Sequence, residues 1–69
     1  MNRKTYHVIP DRNDTWKCEV EGEVKALFKT DNKEDAVQKA LKLAEENQPS
    51  EVKIHTKQGK VEGERRYGE

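Results

Sequence analysis

The sequence predicts a single α+β domain in the order β-β-α-β-β, with one helix packed on one face of an antiparallel sheet. Two observations support this fold class. Apolar residues recur at helical spacing in one stretch, 32–47, and alternate with polar residues in short stretches on both sides of it. The 69 residues leave room for one domain, residues 1–69, and for no second core. Because a lone amphipathic helix cannot bury its apolar face on itself, the flanking strands must supply the partner surface.

The first two predicted strands form a hairpin. Residues 5–9 are β-prone and end at Pro10, and residues 11–14 have turn chemistry. The next stretch, 16–20, alternates strictly between apolar and charged residues. Two points stay open here. Either Tyr6 and Val8 or His7 and Ile9 face the helix, and residues 23–28 either extend the second strand past a bulge or form a separate short strand.

The helix is predicted over Asn32–Asn47. Two pairs resemble a capping box at its start, Asp31 with Glu34 and Asn32 with Asp35. Asn47 suits a C-terminal cap, and the helix cannot continue past Pro49.

A second hairpin is predicted from the alternation at 51–55 and the turn pair Gln58-Gly59. A two-residue loop would set Glu51 opposite Arg66, Lys53 opposite Glu64, Ile54 opposite Gly63 and His55 opposite Glu62. The first two pairs would then join opposite charges across the strands. A longer loop with a bulge at Gly59 is the alternative.

These elements predict a core made of one side of each strand and the apolar face of the helix. Its members are Val8 or Ile9, Trp16, Cys18, Val20, Phe28, Ala36, Val37, Ala40, Leu41, Ala44, Val52, Ile54 and Val61.

The composition limits the classes of function. The chain is 30% hydrophobic and 41% charged, and its 14 basic and 14 acidic residues give a formal net charge of zero. A neutral chain lacks the long-range field of a general nucleic-acid binder, although a local basic patch remains open. No apolar run resembles a signal peptide or approaches the roughly 18 residues needed to span a membrane. We therefore expect a small soluble cytoplasmic protein without membrane contact.

Several short motifs, spread over nearly the whole chain, resemble the small prokaryotic proteins of domain-of-unknown-function family 2188. They are Tyr6-His7-Val8-Ile9-Pro10, Trp16 and Val20, Ala36 within an acidic-capped helix, Gln58-Gly59-Lys60-Val61, and Glu64-Arg65-Arg66-Tyr67-Gly68. The resemblance implies a β-β-α-β-β fold and a cytoplasmic bacterial or phage origin. It implies no activity and supplies no catalytic residues.

Few residues suggest chemistry. Cys18 is the only cysteine, so an intramolecular disulfide and a thiolate metal cluster are excluded. Its position on an apolar strand face indicates a buried thiol rather than a nucleophile with His7 or His55 as base. If their strands are neighbours, the two histidines could share a metal with Glu62 as third ligand, but the spacing favours histidines paired with carboxylates on the sheet surface. We therefore expect no enzyme, no metal and no cofactor.

The remaining hypotheses concern binding. A small domain with short strands and exposed edges favours an accessory module that binds a protein partner or a second copy, through a sheet edge or the open sheet face. The alternative is nucleic-acid binding through a local basic patch on the sheet. The surface expected to take part comprises Lys53, His55, Lys57, Lys60, Arg65, Arg66 and Tyr67.

Overall fold

A computed structural model describes residues 3–68 of the chain as one sheet covered by one helix. Its elements are β1 (Lys4–Pro10), β2 (Trp16–Val20), β3 (Ala26–Thr30), α1 (Lys33–Glu46), β4 (Ser50–His55) and β5 (Val61–Tyr67). A short 3-10 turn at Arg12–Asp14 joins the first two strands. The predicted fold class is confirmed, and the stretch left open after Gly22 contains a separate strand, β3. Residues 1, 2 and 69 of the predicted domain lie outside the described residues.

The strands lie in the order β3-β2-β1-β4-β5. Neighbours pair antiparallel except at the centre, where β1 and β4 are parallel. The predicted antiparallel sheet is therefore correct for three of the four pairs. The exception follows from the helix: α1 carries the chain back from edge strand β3, so β4 enters the sheet in the same direction as β1.

The helix begins at the second of the two predicted caps. The Asn32 side-chain oxygen accepts a 2.8 Å hydrogen bond from the Asp35 backbone N–H. At the other end, the Asn47 amide donates to the Leu43 carbonyl at 2.7 Å, and the buried Ser50 hydroxyl donates to the Ala44 carbonyl. Side chains thus satisfy backbone groups that an isolated helix would leave to water.

The core lies between α1 and the sheet. Tyr6 and Val8 face the helix with 1% and 0% exposure, which settles the orientation of the first strand. The helix meets the sheet through a stripe of fully buried alanines, Ala36, Ala40 and Ala44. These small side chains let the helix backbone lie close to the strands. The buried core comprises Tyr6, Val8, Trp16, Cys18, Val20, Ala36, Ala40, Ala44 and Val52, with Phe28, Val37, Leu41, Leu43, Ile54 and Tyr67 packed around it.

The second hairpin has the predicted pairing over most of its length. Glu51 lies opposite Arg66, Lys53 opposite Glu64, and Ile54 opposite Gly63.

A bulge after Ile54 then shifts the register, so that His55 lies opposite Val61 rather than Glu62. One extra residue moves the following side chain to the other face of a sheet. Val61 is therefore 48% exposed, and its predicted place in the core is wrong.

Candidate functional site

The sheet face that points away from α1, called the open face here, carries charged residues of both signs. One row across four strands reads Glu19, His7, Lys53 and Glu64. A second row reads Thr5, Glu51 and Arg66. Opposite charges on directly facing residues stabilise each other across the strands. The open face therefore presents a mixed surface rather than a contiguous basic one.

Ion pairs add to this local neutralisation. Lys17 lies 3.2 Å from Glu19 on the same strand, and Lys29 lies 3.4 Å from Asp11. The backbone N–H of Arg12 and, after it, the ammonium of Lys29 hold the pKa of Asp11 below its usual value. The basic residues of β2 and β3 are thus already matched by acids of the same chain.

The residues predicted as an interaction surface share one hairpin but not one face. They are Lys53 and His55 on β4, Lys57 and Lys60 in the turn, and Arg65, Arg66 and Tyr67 on β5.

Lys53, His55 and Arg66 lie on the open face. Arg65, opposite Val52, and Tyr67, opposite Ser50, lie on the helix side. The cause is the alternation of side chains along β5, which sends neighbouring residues to opposite faces.

The two histidines of the chain meet on the open face. His7 on β1 places its Nδ1 3.1 Å from the Nε2 of His55 on β4. The remaining nitrogen of His7, Nε2, lies 3.0 Å from the Glu21 carboxylate. The remaining nitrogen of His55, Nδ1, lies 3.2 Å from the Gly59 carbonyl oxygen. Four groups from two strands and two turns therefore form one continuous chain of polar contacts, called the histidine chain here.

The third metal ligand considered for these histidines is placed elsewhere. Glu62 pairs with Lys33 at the start of the helix instead of reaching His55. Within residues 3–68 no group of three or more His, Cys, Asp or Glu side chains is arranged to hold a metal ion. The expected pairing of a surface histidine with a carboxylate is present, but its partner is Glu21.

Cys18 does not meet either histidine. It lies opposite Val8 and is fully buried on the helix side, whereas His7 lies on the open face. Burial, with a further contribution from Glu19, raises the pKa of the Cys18 thiol to about 12. At neutral pH the side chain is therefore an uncharged thiol, which is a poor nucleophile.

The two edges of the sheet differ in what they expose. β3 has the sequence Ala-Leu-Phe-Lys-Thr, and Leu27 is 47% exposed. Val24, just before this strand, is 95% exposed. The sequence contained a signal for this edge that the alternation obscured: Leu27 falls out of phase with Ala26 and Phe28, so a strand that buries Phe28 exposes Leu27.

A shallow cleft of about 470 Å³ lies beside the same edge, between β3 and the helix. Phe28 and Leu43 form its apolar floor, and Lys39, Lys42 and Glu46 line its rim. The ammonium of Lys39 lies 5.5 Å from the centre of the Phe28 ring. Edge and cleft together form an accessible, partly apolar region, called the β3 edge here.

Comparison with known proteins places the chain in a family. The model of a family described as uncharacterized protein conserved in bacteria (DUF2188) matches residues 6–67. No curated protein and no solved structure gives a significant match. No helix in the described part of the chain is long and apolar enough to cross a membrane. The family match covers the helix and all five strands apart from the first two residues of β1, and the chain belongs to this bacterial family of uncharacterised proteins.

Proposed function

We propose that the protein is a non-enzymatic binding module that pairs its β3 edge with a strand of a protein partner. The observation that supports this proposal is the exposure of Leu27 and Val24 at an unpaired edge strand. An edge strand presents free backbone N–H and C=O groups, and an added strand satisfies them. Exposed apolar side chains beside those groups supply burial energy of roughly 25 cal/mol per Å² covered.

We infer that the partner is a second copy of this chain. In an antiparallel pair of β3 strands centred on Phe28, Phe28 of one copy would lie opposite Phe28 of the other. Leu27 of each copy would lie opposite Lys29 of the other. Just beyond the strand, Lys25 would face Asp31 at both ends, and both residues are exposed. The ends of the segment are therefore complementary to themselves in charge, as a two-fold interface requires.

Two exposed apolar residues with nearly equal exposure provide a matched experiment. Leu27 on β3 is 47% exposed and Val61 on β5 is 48% exposed. We expect the wild type to form a dimer. Leu27→Lys should raise the dissociation constant of that dimer at least tenfold, which corresponds to a loss of about 1.4 kcal/mol of binding free energy. Val61→Lys introduces the same charge at the other edge and should leave dimerisation unchanged. Light scattering and sedimentation over a concentration series measure both.

Charge reversal tests the register. Lys25→Asp would place two acids opposite each other and weaken the dimer, while the double variant Lys25→Asp with Asp31→Lys should restore it. A wild type that stays monomeric at millimolar concentration, or equal effects of Leu27→Lys and Val61→Lys, would refute the dimer.

Nucleic-acid binding has less support, because acids interleave the basic residues of the open face. Retention on heparin at low salt, together with amide shifts on the open face, would be the result that favours it.

A further inference from the structure

The histidine chain contains an unmatched pair of nitrogens. At its two ends stand groups that only accept hydrogen bonds, the Glu21 carboxylate and the Gly59 carbonyl. The nitrogens next to them, Nε2 of His7 and Nδ1 of His55, must therefore carry the ring hydrogens.

A neutral imidazole has one N–H and one lone pair. With the outer nitrogens protonated, Nδ1 of His7 and Nε2 of His55 both hold lone pairs, and they face each other at 3.1 Å. The rings are tilted by 51° with centroids 5.3 Å apart, so nitrogen edges rather than ring faces are opposed. Two facing lone pairs repel unless a cation, either a proton or a metal ion, lies between them.

We propose that His7 and His55 bind one divalent transition-metal ion of the Zn²⁺ or Cu²⁺ class through these two nitrogens. This inference is independent of the β3 edge. Metal-bound histidines nearly always donate their other N–H to a carboxylate, a carbonyl or a water, and Glu21 and Gly59 occupy those positions here. With metal–nitrogen bonds of about 2.0–2.1 Å, two ligands of one ion lie close to the observed nitrogen separation.

The position of the pair suits an open site. The side chain of His7 is 22% exposed, and β1 and β4, which carry the two rings, are the central pair of the sheet. Rigid strands fix the ligands, and solvent water completes the coordination. Imidazole nitrogen selects Zn²⁺, Cu²⁺ and Ni²⁺ over Mg²⁺ and Ca²⁺, which take oxygen ligands.

The surrounding charges partly favour a cation. Glu21 contacts His7 directly, and Glu19 lies opposite His7 on β2. Lys53 lies opposite His7 on the other side and opposes the ion, but it faces Glu64 across the next pair of strands.

Titration of the full chain with Cu²⁺ and Zn²⁺ tests the site. The Cu²⁺ complex should saturate at one ion per chain, with hyperfine coupling to two nitrogens in its paramagnetic resonance spectrum. Zn²⁺ should shift the ring signals of both histidines, whereas Mg²⁺ should not. His7→Gln and His55→Gln should each abolish the two-nitrogen signature.

Two acidic residues two positions apart, Glu19 and Glu21, give a matched pair of variants. Glu21→Gln removes the acceptor behind His7 and should weaken Zn²⁺ binding by about tenfold. Glu19→Gln removes the same charge without touching the histidine and should change the affinity less than about twofold. Amide spectra confirm that each variant remains folded.

Three results would overturn the proposal. One is that Zn²⁺ and Cu²⁺ at millimolar concentration leave the ring signals of the wild type unmoved, so that only a proton joins the two rings. The second is a Cu²⁺ spectrum with one nitrogen or none. The third is equal Zn²⁺ affinity of the Glu21→Gln and Glu19→Gln variants.

Discussion

The two edge strands belong to one sheet but face different constraints. β3 has five residues with one charge, and β5 has seven residues of which four are charged and one is glycine. Both strands carry a register shift against their inner neighbour, so bulges do not distinguish them. Composition does: a partner strand on β5 must desolvate Glu64, Arg65 and Arg66, whereas one on β3 meets Leu27 and Phe28.

The difference shows how a small domain controls which edge is available. Dense charge on an edge opposes pairing with another chain, because each charge loses water without gaining a partner. In the proposed dimer, protection of one edge would limit self-association to two copies, whereas two available edges would allow open growth. Replacing the charged residues of β5 should therefore change the size of the assembly. Replacing the aromatic residue that packs at either edge should mainly change folding stability.

The largest effect is expected from apolar replacements on β5. Glu64→Val with Arg66→Val removes one acid and one base, so the net charge is unchanged while the second edge loses two of its four charges. We expect the assembly to grow beyond two copies as concentration rises, because both edges can then pair. Light scattering measures the mass.

The matched control makes the same two types of replacement away from both edges, as Arg12→Val in the β1–β2 turn with Glu45→Val on the helix, both at exposed positions. That pair should leave the assembly at its wild-type size. Growth in both double variants would show that added hydrophobicity, rather than an available edge, drives assembly.

The labelling rate of Cys18 depends on how often β3 separates from β2, because Cys18 lies on β2 opposite Phe28 of β3. Its pKa is raised from 9.0 to about 12 by burial, so the neutral thiol is the form that favours the folded state. That contribution to stability is complete below pH 9 and is lost as the pH rises through about 12. At pH 8 we expect a disulfide reagent to label the folded protein roughly a thousandfold more slowly than the chain in urea.

Fast labelling at pH 8 without denaturant would contradict this expectation and would indicate frequent opening of β3. Faster labelling of Leu27→Lys than of Val61→Lys would assign such opening to this edge.

A smaller effect, on folding stability, is expected from the aromatic residue that anchors each edge. Phe28 on β3 and Tyr67 on β5 are half-buried and pack against the core. Phe28→Ala and Tyr67→Ala should each lower the free energy of unfolding by about 2 kcal/mol, less than the roughly 3–5 kcal/mol for a fully buried ring. Urea unfolding measures the loss.

The two variants should differ in association. Phe28→Ala removes the side chain at the centre of the inferred dimer and should weaken dimerisation. Tyr67→Ala should weaken dimerisation only as far as its lower folding stability explains. Equal loss of dimer in both variants would indicate that association depends on global stability and not on the β3 edge.

The elements of the fold were predictable because their signals are local. The helix over Lys33–Glu46 follows from its periodicity and its Asn32 cap, and the pairing of Glu51 with Arg66 and of Lys53 with Glu64 follows from alternation and charge. Val61 was wrongly predicted in the core because of the bulge beside Ile54 and His55. A bulge inserts a residue but leaves a weaker sequence signature than a turn does. The sequence allowed His7 and His55 to meet but could not fix the contact or its end partners Glu21 and Gly59, since the two histidines are 48 residues apart in sequence and meet only in the parallel pair β1–β4.

The type and order of the elements, the helix cap and the buried side of β2 follow from the amino-acid sequence alone. Each of these depends on residues a few positions apart, where spacing translates directly into geometry, and the family follows from short motifs spread along the chain. The three-dimensional fold was needed to show that Tyr6 and Val8 face inward, that β1 and β4 are parallel, and that β3 and β5 are the edges. Those features depend on which strands become neighbours, and that choice is made by the helix crossing the sheet and burying its alanine stripe.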